Sequence, residues 1–526
     1  MERGKSRLIK AVLTTLAAVL ALTAVLAASG CKKADKGPKY PRVNIAPPAL
    51  TPQPEPDDAG EEVKFSVNRT LSSDMVVQRN SYFNVFGTSE SASGVIYGEF
   101  MGEKRYAAVG SDGRWSMQFS SHEANAEPQT LKLYTKHGES KELTGILIGD
   151  VWVISGQSNA ELGLGGPLTK TPEYAKEIKK TDNIRIYRQT RQAVMDVQEK
   201  GTVDVTVPQD DVVDPSWHWE HTTVSTTNFF SAIGYYFAKE LSRTVDVPLG
   251  IVMAASGGST LHELMPAELA RSLGFNAGAS VPEGGFYNTL LHPFIRNSIT
   301  GMIFYQGESE CAGGQYNVYA RNLARTVEAY RNDWKLEFPF INVQLSTHLG
   351  DGLSYWPELP RLRMAQFDAY RQIPNSYIVA AMDQGWQKGD ADWAHPLYKY
   401  ELGRRAAKIA AYVSYGQGDE EHALAPEPDK ITWEDGKTVV IKFKHVGDGL
   451  KLMDGGDKIK GLTIVDEYGD RLATEAEFID GSTIRLVTFS ADAKAVAYCL
   501  DPNGAPDNAN LASSDGIAMP AFLINS

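Results

Sequence analysis

The sequence predicts an α/β fold, with a three-layer central domain on a parallel sheet and a small β domain to either side of it. Three patterns carry this expectation. Runs at residues 151–154, 249–254, 301–305, 340–345 and 377–382 are nearly continuously apolar in places, as parallel strands covered on both faces are. Amphipathic stretches separate them: over residues 316–334, Tyr316, Leu323, Val327, Tyr330 and Trp334 recur at the three-, four- and seven-residue spacings of one helix face. Before and after this region, period-two runs broken by turn residues mark short antiparallel strands. With 526 residues, 42% of them apolar, the chain has material for two to four domains of about 100–200 residues each.

At the amino terminus, Arg3, Lys5, Arg7 and Lys10 precede an apolar stretch over residues 11–28 that closes on Ala28-Ser29-Gly30-Cys31. A basic start, a short apolar centre and small residues at the end make an export signal over residues 1–31. A retained membrane helix would leave those small residues without a purpose. The last four resemble a bacterial lipobox, with Ala28 where Leu is usual, which implies that Cys31 becomes the lipidated first residue of an exported, membrane-anchored lipoprotein. Residues 32–62 hold seven prolines and almost no large apolar side chains, the composition of an extended, semi-rigid tether. Of the other cysteines, Cys311 and Cys499 are far apart and read as buried small residues rather than a disulfide pair. The formal charge of −13 argues against nucleic acid or an anionic membrane surface as the main partner and is compatible with a neutral sugar.

Residues 63–149 form the first β domain. Runs such as Val63-Lys64-Phe65-Ser66-Val67 and Leu131-Lys132-Leu133 alternate, and Gly94, Asp112-Gly113 and His137-Gly138 interrupt them. Trp115 and the tyrosines here serve either as core and cross-strand packing or as a sugar platform.

Residues 150–426 are the α/β domain. Open α/β sheets carry their chemistry at the carboxyl ends of the strands, which nominates four loops. The first runs from Ser155 to Ala160 and presents Gln157, Ser158 and Asn159. The second is Ser256-Gly257-Gly258-Ser259, and the third is Gln306-Gly307-Glu308-Ser309. The fourth is Asp392-Trp393-Ala394-His395-Pro396, ahead of a helix expected over residues 397–412.

Acyl transfer needs a nucleophile, a base for its proton, a group that orients the base, and donors aimed at the oxyanion. Ser158 ends a strand inside a Gly-Gln-Ser-Asn turn, His395 can take its proton, and Asp392 can accept from the imidazole. Each also has a plainer use: Ser158 and Asn159 as turn or cap residues, His395 as a core or surface histidine, Asp392 as the cap of the next helix. Gly257-Gly258 lets a backbone amide approach a substrate, or simply makes a turn. Gln306 is either a donor to the oxyanion or a buried amide bonded to backbone. Gln157, Asn159 and Glu308 are candidates for touching the substrate, with loop orientation as the other role for Glu308.

Gly149-Asp150-Val151-Trp152, Ser155-Gly156-Gln157-Ser158-Asn159, Gly257-Gly258, Tyr305-Gln306-Gly307-Glu308-Ser309 and Asp392-x-x-His395-Pro396 together resemble the sialate O-acetylesterase family of SGNH-type hydrolases. Tyr287-Asn288, His292-Pro293, Trp334, Gln344 and Gly403-Arg404-Arg405 also fall in the family's order, so that the resemblance runs from about Phe65 to the carboxyl terminus. It implies an SGNH-hydrolase-like domain and a serine esterase that removes acetyl groups from sugar hydroxyls through an acyl-enzyme, with O-acetylated sialic acid as the first substrate. By the same resemblance Ser158 is the nucleophile, His395 the base and Asp392 its partner. The oxyanion hole is then the Ser158 amide, an amide of Gly257 or Gly258, and the Gln306 side chain. The chain departs from the family at Ala160, usually Met, and at Ser256 and Ser259, usually Trp and Thr. These changes are expected to reshape the wall around the acyl group or sugar, which keeps acetylxylan or another acetylated glycan as the alternative substrate. An alternative of another class is a surface carbohydrate-binding protein on an inactive esterase scaffold, against which the retained triad and Gln306 speak.

Residues 427–526 return to strand-like runs at 439–443, 462–465, 483–486 and 495–499, a second β domain. No cofactor is expected. The acids and histidines near the motifs do not fall at zinc-ligand spacing, and the chemistry needs no metal. The expected partners are an O-acetylated sugar or glycan and, through the lipid, a membrane.

Overall fold

In a computed structural model of the chain, residues 46–58, 63–136, 138–166, 169, 181–347, 358–385, 395–489, 492–500 and 509–526 are described. Cys31 with the whole export signal, much of the tether and Asp392 lie outside them.

The alternating runs after residue 63 form strands. β1 (Phe65–Val67), β3 (Phe83–Ser89) and β6 (Arg114–Phe119) make one antiparallel sheet. β2 (Val76–Gln78), β4 (Val95–Phe100), β5 (Glu103–Ala108) and β7 (Asn125–Tyr134) join a larger sheet through β8 (Ser140–Gly156). Trp115 is 2% exposed and packs edge-on against Phe65, so it belongs to the core rather than to a sugar platform.

β8 is the hinge of the architecture. Its first half pairs antiparallel with β7, and its second half lies parallel between two strands of the central sheet. The boundary expected between residues 149 and 150 therefore falls inside one continuous strand. A Cβ on Gly149 would meet the Pro248 carbonyl oxygen at 2.0 Å, so the glycine is there for close packing. Asp150 is fully buried and accepts from Arg79 Nε at 3.0 Å and Gln78 Nε2 at 2.9 Å, which satisfies a charge that would otherwise not stay in a strand interior.

Beyond β8 the chain forms α1 (Ser158–Glu161), β9 (Thr181–Arg188), β10 (Trp219–Thr222), α2 (Ala232–Leu241), β11 (Leu249–Ala255), β12 (Gly301–Tyr305), α3 (Tyr316–Trp334), β13 (Phe340–Val343), α4 (Leu359–Gln372), β14 (Ser376–Val379) and α5 (Tyr400–Tyr415). The sheet order is β10-β9-β11-β8-β12-β13-β14, parallel except for β10 at the edge. The five apolar runs of the sequence are its five inner and carboxyl-side strands. β9 and β10 were not legible, because their charged and polar residues break any apolar run. α2 packs on α5, where Gly403 leaves no room for a side chain beside Tyr236, and α3 packs on α4. Cys311 and Cys499 are both buried thiols.

The C-terminal strands are β15 (Glu427–Glu434), β16 (Thr438–Lys444), β17 (Leu450–Leu452), β18 (Leu462–Val465), β19 (Thr474–Phe478), β20 (Thr483–Thr488), β21 (Ala495–Tyr498), β22 (Leu511–Ser513) and β23 (Phe522–Asn525). They form antiparallel sheets ordered β15-β16-β20-β19, β17-β22 and β18-β21-β23. Their apolar faces close over Met364 and Phe367 of α4, Ile378 of β14 and Met382 just beyond it. Gln344 ties the two regions: its Nε2 donates to Ala521 O at 2.9 Å and its Oε1 accepts from Ala521 N at 2.7 Å.

Candidate active site

Three of the four nominated loops begin where β8, β11 and β12 end side by side. Gly156 closes β8 with φ +131°, and a Cβ there would meet the Tyr305 carbonyl oxygen at 2.0 Å, so glycine is required by both conformation and space. The same close approach lets Gln157 N donate to Tyr305 O at 2.9 Å. Gln157 is extended and Ser158 opens α1. The turn is tight enough that Gln157 and Asn159 point inward, at 3% and 1% exposure, while Ser158 stays half-buried at the surface of the site.

The fourth loop reaches this turn. His395 Nε2 lies 2.9 Å from Ser158 Oγ, across 237 positions of sequence. At that distance an unprotonated imidazole nitrogen accepts from the hydroxyl and readies its oxygen for attack. The helix after His395 begins at Tyr400, with Lys399 at its N-cap position.

The expected oxyanion donors are differently disposed. Gly257 N donates to Glu161 Oε2 at 2.6 Å, and a Cβ on Gly257 would lie 3.1 Å from that oxygen and 3.5 Å from Ser158 Cβ. The Glu161 carboxylate thus sits beside the serine on one of the expected donors. Burial pushes the Glu161 carboxyl up, against the amides of Gly257 and Arg191 and the charges of Arg191 and Arg188. The Ser158 and Gly258 amides have no acceptor among the described residues. Gln306 is bonded within the protein. Its Nε2 donates to Glu310, to Ser259 O at 3.3 Å and to Gln157 Oε1 at 3.3 Å, and its Oε1 accepts from Tyr319 Oη at 3.0 Å. Fully buried and bonded at both ends, the carboxamide is committed inside the protein. Its anchor, Glu310, also accepts from Leu261 N at 2.5 Å, and burial pushes that carboxyl up to about 8.

Gln157, Asn159 and Glu308 brace the loops. Gln157 Oε1 accepts from Gly307 N at 3.1 Å and Ser309 N at 3.3 Å. Asn159 Nδ2 donates to Glu308 Oε1, and Asn159 Oδ1 accepts from Lys399 Nζ at 2.5 Å. Burial pushes the Glu308 carboxyl up to about 7, against the Asn159 hydrogen bond and the Lys399 charge. The three departures, Ala160, Ser256 and Ser259, are all fully buried, so they shape the site from behind rather than front it.

Beside the second and third loops, Thr260, His262, Phe275, Ser309, Glu310 and Asn322 line part of a cavity of about 190 Å³. His262 and Phe275 stack at 4.6 Å between centroids.

Glu161, Glu310 and Lys399 were missed by the reading of the sequence. Glu161 carries a weak signal in spacing, three residues after Ser158 and within one helical turn of it, and Lys399 only its nearness in sequence to His395. Glu310 carries none, since only the fold buries it.

The family described as carbohydrate esterase, sialic acid-specific acetylesterase, matches residues 148–411, just over half of the 526. Human sialate O-acetylesterase is 24% identical over 316 residues, which cover 54% of this chain and 57% of that protein. The mouse protein of the same name is 23% identical over 341 residues, covering 54% and 60%. The chain thus spans less than two thirds of the length of these relatives. Among solved structures, a carbohydrate acetylesterase from Xanthomonas citri superposes with a TM-score of 0.75 at 26% identity, covering 88% of this chain and all of that one. The matched segment contains Ser158, Gly257, Gln306 and His395 alike, and the chain belongs to the carbohydrate esterase family of sialic acid-specific acetylesterases.

Proposed function

We propose that this protein is a serine esterase that hydrolyses O-acetyl groups on carbohydrates, O-acetylated sialic acid first among them, through an acyl-enzyme on a domain of the SGNH type. The observation that carries the reading is the contact of 2.9 Å between Ser158 Oγ and His395 Nε2. Membership of the family and the likeness to the Xanthomonas carbohydrate acetylesterase support it.

In this reading His395 takes the Ser158 proton as Oγ attacks the acetyl carbon, and Asp392 accepts from the other imidazole nitrogen to hold ring and charge in place. The negative charge that develops on the former carbonyl oxygen is met by the Ser158 amide and an amide of Gly257 or Gly258. His395 then returns the proton to the sugar oxygen, which leaves as the free hydroxyl. Water, deprotonated by His395, attacks the acetyl-serine; the bond between the acyl carbon and Oγ breaks, His395 returns the proton to Oγ, and acetate is released.

A chromogenic acetyl ester tests the class. Ser158→Ala is expected to lower kcat by at least about a thousandfold, and equal turnover in the two forms would leave only the sugar-binding reading. The likeness, over 88% of this chain, to a protein described as a carbohydrate acetylesterase supports a second substrate reading, acetylxylan or another acetylated glycan. Acetate release from acetylated sialic acid is expected to exceed release from acetylated xylan, and the reverse order would select the second.

We further infer export and anchoring through lipid on Cys31, which the basic, apolar and small-residue segments before it support. Cys31→Ser is expected to move the protein to the soluble fraction, and unchanged membrane partitioning would refute the anchor.

A further inference from the structure

The pairing of Ser158 with His395 raises a mechanical question. The serine stands on a turn pinned to two strands, whereas the histidine stands on a loop before α5, and catalysis needs the two held to a few tenths of an ångström. The link is Lys399. Its side chain is 1% exposed, and its ammonium donates to Pro396 O at 2.7 Å and to Asn159 Oδ1 at 2.5 Å. Pro396 follows His395 and Asn159 follows Ser158, so one cation bonds the residue next to the base and the residue next to the nucleophile. The Tyr305 ring, whose centroid is 5.7 Å from Nζ, forms another wall of the site.

The other end of the Asn159 carboxamide sets its orientation. Nδ2 donates to Glu308 Oε1, which leaves Oδ1 facing the lysine. Glu308 is 3% exposed and its Oε2 has no hydrogen-bond partner among the described residues. The row ammonium, amide, carboxyl therefore runs through the protein behind Ser158 without facing the substrate side. Burying an ammonium is costly unless it is fully bonded, and an apolar residue of similar volume would fill the position more stably. A charged lysine here is accounted for by what it joins.

Resting on the reading of Ser158 and His395 as nucleophile and base, we propose that Lys399 is a positioning residue whose ammonium sets the separation of Ser158 and His395 by clamping Asn159 to the Pro396 carbonyl. It acts through the residues next to Ser158 and His395. Loss of the clamp frees the His395 loop, and a displacement of about 1 Å at a reacting group is enough to slow chemistry on the order of a hundredfold.

The test uses the full chain and the chromogenic acetyl ester. Lys399→Met, close to isosteric but uncharged, is expected to lower kcat about a hundredfold with KM little changed, and Lys399→Arg to recover part of the loss. Asn159→Ala removes the other half of the clamp, so it should give a similar fall in kcat. The double variant should be no slower than the slower single one, because both break one link. A kcat for Lys399→Met within about twofold of wild type, or losses that multiply in the double variant, would overturn the proposal. If Lys399→Met does not fold, as judged by circular dichroism and thermal unfolding, Asn159→Ala alone decides: a fall in kcat at constant KM supports the clamp, and an unchanged kcat overturns it. Ser158→Ala run alongside keeps the two readings apart. Retained turnover in that variant removes the underlying mechanism, whereas its loss together with a fully active Lys399→Met removes only the clamp.

Discussion

Glu308 and Glu310 stand two positions apart behind the Ser158 turn, and burial pushes their carboxyls from the ordinary 4.5 up to about 7 and about 8. Both folded-state values lie above those of the unfolded chain. From about pH 4.5 upward, therefore, the native protein keeps protons that the unfolded chain has released. The stability tied to these neutral carboxyls is complete below that point and is lost as pH rises through the folded-state values. Thermal unfolding is expected at a lower midpoint at about pH 8.5 than at about pH 5.5. Glu308→Gln keeps an oxygen for Asn159 and has no charge to bury, so it should narrow that gap. A gap of the same size in the variant would assign the slope to other groups.

At the scale of elements, the site depends on strands that end in register and on a loop held at both sides. Gly156 carries the first requirement. Ala there would take on a positive φ, a strain of about 1–3 kcal/mol, and would push its Cβ against the Tyr305 carbonyl oxygen at the end of β12. Gly156→Ala is expected to lower the unfolding midpoint and, by breaking the Gln157 N to Tyr305 O bond, to lower kcat as well. Wild-type values for both would show that the ends of β8 and β12 need not be so close. The second requirement rests partly on α5. Arg405, 2% exposed, donates to Asp383 Oδ1 at 2.7 Å, to Asp383 Oδ2 at 2.6 Å and to Ala380 O at 2.7 Å. Burial alone would push the Asp383 carboxyl up, but the Arg405 charge and hydrogen bonds, aided by Gln384, outweigh it and hold it below its usual range. The helix that follows the His395 loop is thus locked to the end of β14.

Over the whole molecule the three β and α/β regions are not separable parts. β8 belongs to two of them, and one apolar core runs from Val63 to Leu424. The C-terminal strands share the second core with Phe367, Ile378 and Met382, which are 1%, 4% and 0% exposed. Ending the chain near residue 426 would uncover these side chains at roughly 2 kcal/mol each, and would leave Gln344 without Ala521. Such a truncated chain is expected to lose its cooperative thermal transition and its esterase activity. A sharp transition with full activity would show instead that the C-terminal strands are an independent module.

The composition and spacing of the chain determined a good deal unaided. Five strands of the central sheet were legible because each is an apolar run bounded by glycine or a polar turn, a local property. Ser158 and His395 were legible as candidates because each follows such a strand or precedes such a helix. Tertiary structure alone decided what the polar residues around them do. Gln306 stays open between free donor and buried amide until Glu310 is folded against it, Glu308 between substrate contact and loop brace until Asn159 is bonded to it, and Glu161 is silent until it reaches Gly257. A charged or amide side chain takes its role from the partner that satisfies it after burial, and here those partners lie up to 240 positions away in sequence.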